Sequence, residues 1–119
     1  MNILNLIDKI KKHPDYDKTG MILCHNGVVR GTSRDGRNVS GLRVTVDHEK
    51  LQQIINENKS RPGIIEILVE IAEEKDLAVG DDVMLLVVAG DIRENVISVL
   101  NDTLNAIKTT VTAKTEFFV

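Results

Sequence analysis

The sequence predicts an α+β fold in which three helices accompany a mostly antiparallel sheet, in the order α-β-β-α-β-β-α-β. Three observations carry that reading. Apolar residues recur at helical spacing near residues 3–13, 48–59 and 91–107. They alternate with a period of two over residues 42–46 and again toward the end of the chain. The junctions hold chain breakers: Pro14, the Pro62-Gly63 pair and Gly80.

The elements follow in order. Over residues 3–13, Ile3, Leu6, Ile7 and Ile10 share one helical face, and Pro14 ends the helix. Residues 20–30 read as a strand interrupted at Asn26-Gly27, where glycine marks a bulge or a close backbone approach. A glycine- and arginine-rich loop follows. Next, Leu42, Val44 and Val46 point inward, against Arg43 and Thr45 outward. Asp47 is the expected N-cap of a helix over 48–59 whose apolar stripe is Leu51, Ile54 and Ile55. The β-branched run 64–71 is read as a strand, with 72–78 as a loop or short helical turn. Residues 83–89 form a second strong strand. Asp91 and Glu94 have capping-box spacing for the longest helix, with Val96, Val99, Leu100, Leu104 and Ile107 on its core face. From Thr110, the alternation of Val111, Ala113, Thr115 and Phe117 predicts a final strand. The 119 residues suit one domain, 1–119, with no internal repeat or linker.

Composition excludes several functions. A net charge of −3, with aromatics confined to Tyr16, Phe117 and Phe118, argues against nucleic-acid binding. No apolar run approaches the ~18 residues that span a membrane, and no cleavage site follows the N-terminal lysines, so the chain reads as cytoplasmic. Cys24 is the single cysteine. It cannot form an internal disulfide, and its apolar surroundings predict a small buried hydrophobe. His13, His25 and His48 have no i,i+4 pairing, so each reads as a surface or locally bonded residue, and no metal or cofactor site is expected.

Three basic features remain. Arg30, Arg34 and Arg37 lie in "GVVRGTSRDGR", where glycines let backbone N–H groups approach an anion and arginine offers a fork matched to phosphate. Of these, Arg30 at the strand end is the expected ligand, while Arg34 and Arg37 read as solvated, or at most as guiding an anion inward. Arg93 falls in the first turn of the long helix, where a cation is locally unfavourable and an anion is favoured. Lys108 and Lys114 lie at that helix's end and in the next strand. A lysine acts as nucleophile or proton carrier when burial or cationic neighbours free its amine.

The order of these residues resembles the catalytic, large subunit of molybdopterin synthase, the MoaE-type family, in a divergent form. "GVVR" (27–30) looks like the family's G-x-V-R segment, and "VGDDVMLLVVAG" (79–90) its P-G-D-E strand entry. "IR" (92–93) falls at its His-Arg, and "LNAIKTTVTAKTEFF" (104–118) at its stretch with two active-site lysines. The resemblance implies an α/β-hammerhead fold and a sulfurtransferase. Such an enzyme takes sulfur from the C-terminal thiocarboxylate of a ubiquitin-like small subunit. It adds two such sulfurs to cyclic pyranopterin monophosphate, forming the dithiolene of molybdopterin. The same resemblance implies Lys108 as the principal catalytic lysine and Lys114 as its helper. Arg30 and Arg93 would hold the substrate's phosphate and pterin, and Leu104 would line the pocket. His25 sits near a pocket phenylalanine of the family and is assigned with the substrate-binding residues. The family dimerises through its large subunit and forms a heterotetramer. Ile92 stands in place of the family histidine, which leaves a non-catalytic anion- or partner-binding homologue as the alternative.

Arg93 and Lys108 are fifteen residues apart on one predicted helix. At 1.5 Å per residue their backbones lie about 22 Å apart. A shared site therefore requires Arg93 from a second copy, and a symmetric homodimer is expected.

Overall fold

The computed structural model describes residues 1–119. Its elements are helix α1 (Ile3–Lys11), strands β1 (Met21–Val28) and β2 (Val39–Val46), and helix α2 (His48–Lys59). They continue with β3 (Ile64–Ile71), β4 (Leu77–Ala78), β5 (Asp82–Gly90), α3 (Arg93–Ala106) and β6 (Thr112–Phe118). This is the predicted α+β fold, with every strand pair antiparallel. The strands divide into two three-stranded sheets, in the orders β1-β5-β3 and β4-β2-β6.

Central strand β5 explains its unbroken apolar run. Both of its faces are covered, so residues Met84–Gly90 are all buried and no polar alternation survives. On one face, Leu85, Val87 and Ala89 receive Leu6 and Ile10 of α1. On the other, Leu86 and Val88 meet Val96 and Val99 of α3 together with Ile67 of β3. The second sheet packs separately, with Leu42 and Val44 of β2 against Val29, Ala72 and Leu77. Ile54 of α2 joins Met84, Ile107 and Val111 where the two sheets meet.

Local chemistry sets most boundaries. The Asn2 side chain caps α1, accepting from Leu4 N–H at 2.9 Å. The helix stops at Lys11, short of the expected residue 13, because a residue preceding proline avoids the helical region. Asp47 caps α2 as expected, accepting from Lys50 N–H at 3.0 Å. The interruption at Gly27 is a bulge, where the β1–β5 register shifts between Gly27 and Val28.

Four expectations need correction. Cys24 is exposed, because it lies on edge strand β1 and α1 covers only part of that face. Residues 72–78 contain strand β4, made by tertiary pairing of Leu77 and Ala78 with Leu42 and Gly41. The capping box of α3 does not form: the N-cap is Ile92, with no side-chain cap. Asp91 is held one residue outside the helix by its N–H bond to Gly63 O at 2.9 Å. Its carboxylate instead accepts from Ile92 N–H at 2.6 Å and the Asn95 side chain at 2.9 Å. The Asn95 bond, followed by the Ile92 N–H, pulls the Asp91 carboxyl below its ordinary range. Finally, β6 begins at Thr112, because a π-helical turn occupies Ile107–Val111. No helix is long and apolar enough to cross a membrane.

Candidate active site

A cavity of about 590 Å³ opens where the end of the first sheet meets the second. Its floor is apolar, built from Leu42 and Val44 of β2, Ile71 of β3, and Val83 and Met84 of β5. Polar groups reach it from three directions. His25 and Gly27 come from β1, Ser33, Arg34 and Asp35 from the loop, and Lys108 from the π-helical turn. Strand β6 closes the remaining side with Thr112, Lys114, Glu116 and Phe118. The period of two puts these four on one face of that strand and Ala113, Thr115 and Phe117 on the other.

The π-helical turn places Lys108. Such turns insert a residue into a helix and cluster at functional positions. Here Ile107 and Val111 anchor it in the core, both buried. Thr109 and Thr110 hydroxyls donate back to Asn105 O (2.8 Å) and Ala106 O (2.6 Å). Lys108, between the anchors, is exposed and forms no ion pair. Lys114 lies 3.9 Å from Glu116, the longest ion pair of the molecule. Cations Arg34, Lys108 and Lys114 outnumber anions Asp35 and Glu116 around the cavity, so it favours an anionic ligand.

The sequence-assigned residues divide. Lys108, Lys114 and His25 come together in the cavity, whereas Arg30, Arg93 and Leu104 do not line it. Arg30 lies beyond the end of β1 and folds back, its Nε–H donating to Thr32 O at 2.8 Å. Arg93 is exposed at the far end of α3 and pairs with Glu94 at 3.3 Å. Leu104 is partly buried behind the π-helical turn, against Ile107 and Val111.

The three loop arginines have different fates. Arg34 and Arg37 are both exposed, as expected, and each also has a specific placement. Arg34 lines the cavity, and the Arg37 guanidinium stacks over Phe118, 3.5 Å from the ring centroid. Between them, Ser33 N–H donates to Arg37 O at 2.9 Å and the Ser33 hydroxyl donates to the Asp35 carboxylate. That second bond is the main cause of Asp35's depressed pKa. The loop is thus a tight turn latched to β6.

The histidines also separate. His13 Nδ1 accepts from Asp15 N–H at 3.0 Å, and His48 meets Glu73 at 2.6 Å, as locally bonded residues should. His25 is different: its Nε2 is enclosed and has no partner. Burial first, then the charge of Lys108, lowers its pKa from 6.5. No group of three or more His, Cys, Asp or Glu side chains assembles. Arg34 was ranked below Arg30, and Glu116 and Phe118 escaped the sequence reading. The last two were accessible from it, since they share Lys114's side of an alternating strand; Arg34 lies on a turn with no period to read.

The family model described as MoaE protein matches residues 3–110. No curated protein matches the sequence. Among solved structures, molybdopterin synthase from Staphylococcus aureus aligns with a TM-score of 0.73 and 22% identity, covering 87% of this chain and 77% of that one. The molybdopterin cofactor biosynthesis protein E from Burkholderia multivorans ATCC 17616 gives a TM-score of 0.76 and 20% identity, covering 100% and 84%. A complex of subunits 1 and 2 of molybdopterin-converting factor from Helicobacter pylori 26695 gives 0.73 and 16%, covering 100% and 84%. At these identities the structures establish the shared fold, while the family match spans nearly the whole chain. The chain belongs to the MoaE protein family and so to molybdenum cofactor biosynthesis.

Proposed function

We propose that the cavity is the sulfur-transfer site of a molybdopterin synthase large subunit. The observation that carries this reading is the convergence of Lys108 and Lys114, from two different elements, on one apolar-floored cavity with excess positive charge. The substrate is cyclic pyranopterin monophosphate, and the sulfur donor is the C-terminal thiocarboxylate of a ubiquitin-like small subunit. The two-subunit Helicobacter pylori complex supports such a partner.

Lys108 is the principal catalytic residue. Its amine, on a rigid turn, acts as nucleophile or proton carrier beside the thiocarboxylate. Lys114 assists from β6 and helps neutralise the incoming anions. Arg34, which lines the cavity, takes the phosphate, with Arg30 adding positive charge from the same loop; Arg93 of a second copy completes the pterin end, and His25 contacts substrate. Leu104 supports the turn that carries Lys108. The assembly is a homodimer of large subunits carrying one small subunit each.

The test mixes the protein with a thiocarboxylated small subunit and cyclic pyranopterin monophosphate, and assays the dithiolene product. Formation of molybdopterin supports the reading; partner binding without product contradicts it. One observation favours that second outcome. Ile92, 53% exposed, caps α3 with no side-chain hydrogen bond where the resemblance expects a histidine. A non-catalytic homologue would keep the fold and the anion-binding cavity but make no dithiolene.

A further inference from the structure

His25 and Gly27 are two residues apart on β1, so both face the cavity, and both line it. His25 Nε2 is enclosed with no hydrogen-bond partner. Leaving a buried polar atom unpaired costs about 1–3 kcal/mol, so such an atom in a cavity wall calls for a partner from outside the fold. Gly27 borders it closely: a Cβ there would lie 3.3 Å from Nε2 and 3.7 Å from Met84 O, so any side chain would crowd the ring. Gly27 has no positive φ, so its missing side chain answers to space and not to backbone conformation.

The ring's charge state sets the ligand's chemistry. Burial and the neighbouring Lys108 both disfavour the imidazolium, so His25 is neutral at pH 7. A neutral imidazole presents one N–H and one lone pair. That pair suits an uncharged edge carrying both a donor and an acceptor, such as the amide-like edge of a fused heterocycle. An anionic group is better served by Arg34, Lys108 and Lys114, which are charged and line the same cavity.

We propose that His25 is a substrate-positioning residue: its imidazole hydrogen-bonds the uncharged ring edge of the substrate at the wall beside Gly27, while the cations hold the phosphate. This inference rests on the sulfur-transfer reading of the cavity and adds which end of the substrate lies against β1. It makes the β1 wall the part of the cavity that selects the heterocycle.

The test uses full-length protein and calorimetric titration with two probes, cyclic pyranopterin monophosphate and inorganic phosphate, plus KM and kcat with the thiocarboxylated small subunit. His25→Phe keeps a ring and removes the hydrogen bond. It should weaken the pterin phosphate about tenfold, in line with one lost hydrogen bond, and raise KM in proportion, while inorganic phosphate binds as in wild type. His25→Gln should recover most of the loss. Gly27→Ala, which crowds Nε2 but leaves the imidazole itself in place, should also weaken the pterin phosphate selectively, and it serves if His25→Phe does not fold. Pterin-phosphate affinity within twofold of wild type in both His25→Phe and Gly27→Ala overturns the proposal while leaving the sulfur-transfer reading intact. An equal loss for inorganic phosphate also overturns it, making His25 an anion ligand. Wild-type protein that neither binds nor converts the pterin phosphate refutes the sulfur-transfer reading, and this inference with it.

Discussion

Lys108 and His25 illustrate how the fold gives single residues surroundings that their types alone do not dictate. Lys108 is one of several exposed lysines until the π-helical turn aims it at the cavity. His25 is an ordinary strand residue until burial and the Lys108 charge lower its pKa. The depressed value has a definite consequence for stability. Below its ordinary value of 6.5, the unfolded chain binds a proton that folded His25 resists, so stability falls as pH drops through 6.5 toward the folded value. Above 6.5 the residue contributes nothing. Asp35 and Asp91, whose pKa values are also depressed, act in a separate window: their contribution is present above 3.8 and lost as pH falls below it. Thermal unfolding of His25→Gln should therefore show a flatter profile than wild type between pH 7 and 5 and the same slope near pH 3. Parallel curves between pH 7 and 5 would contradict the neutral assignment. The residue scale also shows what a sequence conceals. Arg30 and Arg34 are equivalent in composition, but only the turn geometry decides that Arg34 lines the cavity and Arg30 folds back on Thr32.

Elements were legible where a period or a cap governs them. The alternation of Leu42, Val44 and Val46, the Asp47 cap and the apolar stripe of α1 all report local physics, and the structure follows them. Strand β4 and the offset of Asp91 were not legible, because each depends on a partner distant in sequence. The Asp91 corner is the sharper case. Gly63 has φ of +79°, and a Cβ there would strike the Asp91 carboxylate. Gly63→Ala should cost about 1–3 kcal/mol, read as a lower midpoint in urea unfolding; an unchanged midpoint would show that the corner relaxes freely. Helix α1 offers a second measure. Ile10 is fully buried against β5, so Ile10→Ala should cost about 2–5 kcal/mol while leaving substrate affinity unchanged, since α1 lies on the sheet face opposite α3.

The whole molecule is elongated, with extents of 48 × 25 × 23 Å. Its radius of gyration is 15.2 Å, against about 13.5 Å for a compact chain of this length. The strands divide between two sheets, and the cavity is lined from both. Arg93 and Lys108 sit at opposite ends of α3 and its continuation, so cooperation between them needs two copies. Mixing Arg93→Ala protein with Lys108→Ala protein should then restore about a quarter of wild-type turnover, because hybrid dimers rebuild one intact site. No recovery in a mixture shown to exchange subunits would contradict a shared site. The central claim, that Lys108 performs chemistry on the thiocarboxylate in this cavity, is tested most directly by Lys108→Ala. Dithiolene formation should fall at least about a hundredfold, with small-subunit affinity and thermal stability preserved. Turnover close to wild type in that variant would contradict the account.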